Sequence, residues 1–259
     1  MSIEESARIL RYDYFERLMK REGFTKVAIG HHVADNAETL LFTPYGKSTL
    51  IKLASISTGI ALFSLFFPLP AAIPVGITAA IFLLFTLWFF RDPERSMPPG
   101  TGLVIAPADG TVVRVEKCTH AYTGTDSTII SIFMSPLDVH VNRIPITGTV
   151  TLLQHHPGSF NMAFDEKSGE ENERMEIGIE SNGLKLHFTQ VAGFLARRIV
   201  CPLRVNEPVT AGNRFGMIKF GSRVEIVIPA GAASEVKVGA KTRAGETIIA
   251  CFPTPAGDA

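Results

Sequence analysis

The pattern of apolar and polar positions divides the chain into three parts. From Leu53 to Phe90 no side chain is charged, a run longer than the about 20 apolar residues that cross a bilayer. Pro68, Pro70 and Pro74 interrupt it, which predicts two apolar helices, over about 53–67 and 75–90, joined by a tight proline-rich turn. Lys47 and Lys52 flank one end, Arg91 and Arg95 the other. The turn is uncharged, so the positive-inside rule places both ends at the cytoplasmic face of the inner membrane. Ser55, Ser57, Thr58 and Ser64 make the first segment less apolar. A re-entrant or interfacial hairpin therefore stays open beside a spanning one, as does a buried hairpin in a soluble core.

Beyond residue 91 the period shortens. Runs over 104–115, 127–134, 139–145, 149–154, 175–179, 184–191 and 215–228 are strand-like and many alternate, with the turn pairs Asp109-Gly110 and Asn182-Gly183 between them. They predict one mainly β domain over 96–259, of sandwich or barrel-sandwich type. An acidic loop is expected near 163–173. Residues 43–95 are the hairpin and its linkers. Residues 1–42 read as a helix and a short strand: Ser2 and Glu5 have capping-box spacing, and Leu10, Tyr14, Phe15 and Leu18 share a face.

In the last β run, Val224, Ile226 and Ile228 lie on one side of the pleat, and Gly221-Ser222 interrupts the pattern. A β-bulge is the plain reading. The chemical reading is that glycine admits an unusual backbone and the serine hydroxyl can turn onto the preceding carbonyl.

Composition adds exclusions. The 259 residues carry 25 Lys+Arg against 25 Asp+Glu, so nothing in the charge favours a nucleic-acid partner. Cys118, Cys201 and Cys251 are far apart and form no C-x-x-C pair, as expected of reduced structural thiols. His31, His32, Asp35 and Glu38 have metal-ligating side chains but no second cluster to complete a set. No metal is expected.

Two resemblances follow. Leu10-Arg-Tyr-Asp-Tyr-Phe15 through Gly30-His-His-Val-Ala-Asp-Asn-Ala-Glu-Thr39 resembles an internal piece of the tRNA lysidine synthetases. That family's Ser-Gly-Gly-x-Asp-Ser phosphate loop has no counterpart here, so residues 1–42 are expected to be non-functional, a fused remnant or a misassigned start. From about residue 43 onward the chain resembles the phosphatidylserine decarboxylases of the short bacterial and archaeal-type branch. The elements are Phe89-Phe-Arg-Asp-Pro-Glu-Arg95, Val104-Ile-Ala-Pro-Ala-Asp-Gly-Thr-Val-Val113, Met134-Ser-Pro-Leu-Asp-Val-His-Val-Asn-Arg143 and Phe220-Gly-Ser-Arg223.

The second resemblance implies that the Ser222 hydroxyl attacks the Gly221 carbonyl. β-Elimination would then split the chain into a β chain, 1–221, and an α chain, 222–259, headed by a pyruvoyl group made from Ser222. That carbonyl would form a Schiff base with the serine headgroup of the lipid and act as electron sink for loss of carbon dioxide, converting phosphatidylserine to phosphatidylethanolamine. The implied partners are a phospholipid, the membrane, and the α and β chains with each other. Oligomeric state stays open, as does the choice between phosphatidylserine and an archaetidylserine.

A serine needs a base. His140 is the candidate, with an ordinary strand histidine as the alternative. Asp109 would orient the base or shape the site, unless its Asp-Gly pair is only a turn. Many relatives carry a second histidine three residues after the first. Arg143 stands there instead and cannot be a base near neutral pH, though it could pair with the lipid phosphate. His156, Gly158 and Phe160 fall where the family has a Pro-Gly loop near the substrate; a solvated loop is the alternative. A carrier domain of the biotinyl or lipoyl type is the competing function, since Ala106-Pro-Ala-Asp-Gly-Thr-Val112 and Val238-Gly-Ala-Lys-Thr-Arg-Ala-Gly-Glu-Thr-Ile248 resemble pieces of those folds. The lysine tip of a carrier is missing. A membrane-anchored scaffold that never cuts itself is the third option.

Overall fold

Two apolar helices rise from a β domain. The computed structural model describes residues 42–159, 171–193, 198–219 and 222–252, all within the compact unit Leu40–Ala259. The expectations for 1–41 and most of the acidic segment lie outside the described residues. Thr43 accepts the Tyr45 N–H on its hydroxyl, and a 3-10 turn, Pro44–Gly46, leads into helix α1, Lys47–Ser64. After a short turn Pro68 caps helix α2, Leu69–Phe89.

The second helix thus begins earlier than the expected residue 75. Pro70 sits in its first turn, where a missing N–H costs nothing, and only Pro74 removes a helical hydrogen bond. The first begins at Lys47, so both flanking lysines lie on it. Ile56, Phe63, Phe66, Ile81 and Leu84 are exposed. Among the described residues α2 alone is both long and apolar enough to cross a membrane.

The foot of the hairpin is buried. Phe89 and Phe90 form a small core with Leu50 and Met217. A Cβ at Gly46 would lie 2.2 Å from the Phe90 ring, and that ring is enclosed. Gly46→Ala is therefore expected to cost about 1–3 kcal/mol, seen as a lower thermal midpoint; an unchanged midpoint would mean that the foot yields.

The strands are β1 (Leu103–Ile105), β2 (Gly110–His120), β3 (Gly124–Met134), β4 (Val141–Arg143), β5 (Gly148–His156), β6 (Arg174–Ser181), β7 (Leu184–Ala192), β8 (Ile199–Val200), β9 (Pro208–Val209), β10 (Arg214–Ile218), β11 (Ser222–Ile228), β12 (Ala233–Ser234), β13 (Lys241–Thr242) and β14 (Ile248–Cys251). An eight-stranded sheet runs β13-β2-β3-β11-β7-β6-β5-β9, beside three-stranded sheets β1-β14-β12 and β4-β10-β8. Ile130, Ile132, Phe188, Val224 and Ile226 of the large sheet pack in one core with Val104, Ile144, Phe215 and Ile249 of the others. The expected mainly β fold with an apolar helical hairpin is what forms. Asn182 and Gly183 both have positive φ and close the β6–β7 hairpin, as their sequence predicts.

Two predicted runs are in fact divided. The 104–115 run breaks at Pro107-Ala-Asp109 into β1 and β2, which enter different sheets. The 215–228 run is not a bulged strand. β10 pairs with β4 and β8, while β11 lies between β3 and β7. Ile218 of the first half and Val224, Ile226 and Ile228 of the second all enter the core, so the periodicity continues across a change of sheet. Ser222 is the first residue after that change.

Candidate active site

The site is built where β11 begins. Ser222 is fully buried and lies opposite Met134 of β3 and Ala192 of β7. Strand alternation puts it on the same side as Val224, Ile226 and Ile228, toward the core. Its hydroxyl donates to Met134 Sδ at 3.2 Å. A thioether is a weak acceptor, so the hydroxyl is held only loosely. Asn142 Nδ2 reaches the same sulfur at 3.8 Å, and Gln190 Nε2 donates to Asn142 Oδ1 at 2.8 Å. Gln190 Oε1 has no hydrogen-bond partner among the described residues. Polar groups in this number on a core face call for a chemical explanation.

His140 precedes β4 by one residue and is also fully buried. Its Nδ1 lies 2.8 Å from the Asp138 carbonyl. A carbonyl only accepts, so Nδ1 carries the proton and Nε2 bears the lone pair. That Nε2 has no partner among the described residues. Burial, and secondarily the positive Arg91, lower its pKa to about 4, against the Asp138 hydrogen bond. The imidazole is therefore neutral at pH 7 and able to accept a proton. No hydrogen bond joins it to Ser222 among the described residues; they are linked through Asn142, two residues along from His140, which shares Met134 Sδ with the serine.

Asp109 is held elsewhere. Its carboxylate accepts from Arg95 Nη2 at 2.8 Å and from the Ala244 N–H at 2.7 Å. Burial raises its pKa while Arg95 opposes the rise. Its hydrogen bonds thus tie the Pro107–Asp109 turn to the linker and to the loop after β13, and the bond that orients His140 comes from the Asp138 backbone.

Arg143 faces away from Asn142, its neighbour on β4. Its guanidinium donates to Gly212 O at 2.9 Å and Pro93 O at 3.0 Å, with Asp92 at 3.6 Å. Arg214 also pairs with Asp92 and with Glu94. These contacts fasten the linker below the hairpin to the β4–β10 edge. A further cavity of about 250 Å³ bordered by Arg143, Arg95 and Arg214 opens beside them.

The Pro-Gly segment divides. His156 lies 3.3 Å from Glu176 and turns toward that strand. Gly158 leads to Ser159, which bridges to Asn172, and Asn172 Nδ2 donates to the Ala192 carbonyl at 2.7 Å. Ala192 is the neighbour of Ser222, so Gly158 reaches the serine's end of the sheet. A Cβ at Gly158 would lie 2.4 Å from Glu171 O. Gly221 and Phe160 lie outside the described residues.

Sequence reasoning assigned no role to Met134, Asn172 or Gln190. For Gln190 a signal was present: it occupies the register of Leu186 and Phe188, where alternation calls for an apolar residue.

The fold and site define a mainly β domain with a buried serine and a buried histidine, joined to an apolar helical hairpin. A family model described as phosphatidylserine decarboxylase matches residues 82–250. The phosphatidylserine decarboxylase proenzyme of Chlorobium phaeovibrioides is 78% identical over 218 residues, 84% of this chain and 100% of that protein. Those of Chlorobium luteolum and Pelodictyon phaeoclathratiforme are 61% and 53% identical, over 81% and 82% of this chain and 99% and 100% of theirs. The chain belongs to the phosphatidylserine decarboxylase family. A second model, described as a PP-loop domain, matches residues 1–69, in keeping with the N-terminal resemblance to the lysidine synthetases. The segments that suggested a carrier pair with each other, β13 against β2.

Proposed function

We propose that this chain is a proenzyme that cuts itself between Gly221 and Ser222 and then decarboxylates phosphatidylserine to phosphatidylethanolamine. The supporting observation is the placement of Ser222: fully buried, first in its strand, and hydrogen-bonded among the described residues only to a thioether, beside the polar side chains Asn142 and Gln190. The hydroxyl attacks the Gly221 carbonyl and the amide becomes an ester, with the serine nitrogen freed as an amine. Loss of the α-proton expels the Gly221 carboxylate and leaves a dehydroalanine. Water then replaces its nitrogen, which departs as ammonia, and the second chain begins with a pyruvoyl group. His140 Nε2, neutral and without a partner among the described residues, takes the hydroxyl proton.

The side chains around Ser222 fit such a group. Asn142 Nδ2 reaches the same Met134 sulfur as the serine oxygen, Gln190 Oε1 is a buried acceptor without a partner among the described residues, and β3 and β7 hold the new chain end on both sides. When present, the pyruvoyl supplies the carbonyl electron sink that amino-acid decarboxylation requires. His140, held by the Asp138 carbonyl, is placed to manage protons, and the core excludes water. No metal is called for.

The hairpin supports a membrane location on the cytoplasmic face of the inner membrane. The rise of α2 is about 30 Å, the thickness of the hydrocarbon layer, and its apolar side chains are exposed. The lipid substrate resides in the same layer. Residues 1–42 form an appendage outside this activity, 43–95 the hairpin and linker, and 96–259 the catalytic domain.

Intact mass spectrometry of the purified protein tests the proposal. Two chains ending and beginning at 221/222 are expected, the smaller with a blocked N-terminus, together with release of carbon dioxide from phosphatidylserine vesicles. One uncut chain that still decarboxylates would overturn it.

A further inference from the structure

The Phe-Arg-Asp-Pro segment at the end of α2 has so far only a structural part. Its geometry carries more. Arg91 Nη2 donates to the Leu137 carbonyl at 2.8 Å, and Trp88 Nε1 donates to the same carbonyl at 3.2 Å. Arg91 Nη1 bonds the Trp88 carbonyl at 2.8 Å, and its guanidinium lies 4.0 Å from the Trp88 ring centre. Two side chains at one helix end thus converge on a single oxygen, which has two lone pairs to receive them.

That oxygen belongs to the short loop that delivers His140. The loop is closed on itself: the Asp138 N–H donates to Ser135 O, and the Ser135 N–H donates to Asp138 Oδ2, both at 2.8 Å. The next carbonyl along, that of Asp138, accepts the His140 Nδ1–H. Phe89, between Trp88 and Arg91 in sequence, has its ring 4.3 Å from the imidazole. The peptide that sets the tautomer of His140 therefore adjoins the peptide that the helix end grips. The ring itself rests on the same helix end.

We propose that Trp88 and Arg91 are positioning residues for His140. By holding the Leu137 carbonyl they keep the Asp138 carbonyl turned to Nδ1 and leave Nε2 as the proton acceptor. Arg91 contributes a second effect. Its charge disfavours the imidazolium, so it helps keep the base neutral; Asp109, Asp138 and Arg95 surround Arg91 in turn. The apolar hairpin is on this view part of the catalytic apparatus as well as an anchor. The inference rests on His140 being the base.

The test uses the full-length chain in phosphatidylserine vesicles. Self-cleavage of newly made protein is timed across pH, and kcat and KM for decarboxylation are measured on the cleaved fraction. Trp88→Phe removes only the N–H donor. Arg91→Gln removes the charge, and Arg91→Lys keeps the charge but cannot serve both carbonyls. Trp88→Phe and Arg91→Gln are expected to slow cleavage by about 10- to 100-fold and to lower kcat, with KM within about twofold. In Arg91→Gln the acid limb also moves to higher pH, because loss of the positive neighbour raises the imidazole pKa. Arg91→Lys is expected to keep the wild-type acid limb and regain part of the rate.

Wild-type rates in all three variants, with His140→Ala inactive, would overturn the positioning role and leave the base assignment standing. Rates that fall only in step with a lower thermal midpoint would overturn it too, by reducing the contacts to a structural tie. Wild-type cleavage in His140→Ala would remove the base assignment, and the positioning role with it.

Discussion

Ser222→Ala is expected to leave one uncut chain without decarboxylase activity. The loss should be complete rather than partial, because the proposed chemistry uses the same residue twice: its hydroxyl as nucleophile and then leaving oxygen, and its carbon atoms as the frame of the pyruvoyl group. The fold should survive. The substitution deletes one hydroxyl whose only hydrogen bond among the described residues is to a sulfur, which is worth about 1 kcal/mol or less, and alanine suits a core-facing strand position. A thermal midpoint within a few degrees of wild type, with a single band and no carbon dioxide, is the expected result. If the alanine variant decarboxylates, the source of the cofactor lies elsewhere.

His140→Ala is expected to slow self-cleavage by about 10²–10⁴-fold, the usual contribution of a positioned base. Because the imidazole is buried against Phe89, alanine also opens a cavity, and some of the loss could reflect a loosened foot. His140→Asn separates the two effects. Its amide can donate to the Asp138 carbonyl in place of Nδ1, but it cannot accept a proton at neutral pH. Both variants should be slow. Added imidazole should restore part of the rate only in the alanine variant, where there is room. Normal cleavage in either would move the base to another residue. The folded pKa of about 4 places the acid limb of wild-type cleavage well below that of a free histidine. The imidazole must lose its proton to act, so the rate should hold as pH falls through 6 and decline toward 4.

Much of this was legible in the sequence. The uncharged run from Leu53 to Phe90 and the alternating β runs announced a hairpin and a β domain, and the sequence elements ending in Phe220-Gly-Ser-Arg223 announced the family. Three things were not, each for a physical reason. Alternation persists across a change of sheet, so 215–228 looked like one strand. A buried arginine has the same letter whether it meets a lipid phosphate or backbone carbonyls; only the opposite facing of Asn142 and Arg143 on β4 hinted that Arg143 looks toward Gly212 and Pro93. The orientation of His140 comes from a main-chain carbonyl, which leaves no residue-type signature, and a nearby carboxylate such as Asp109 was the natural but different expectation.

The position of β11 has a consequence for the life of the enzyme. This strand is paired along its length to β3 and β7, in the middle of the large sheet, while β13 and β14 are bound to β2 and β1. All three lie after the proposed cut. Before cleavage the polypeptide can unfold and find its way back as one molecule. If that cut is made, the α chain, strands and all, becomes a separate molecule threaded through the other, and recovery then requires two chains to meet. The mature enzyme would then persist because unfolding is slow, with a lifetime set by a rate rather than by an equilibrium. Scan-rate-dependent, irreversible melting of processed protein, beside reversible melting of Ser222→Ala under the same conditions, would be its signature.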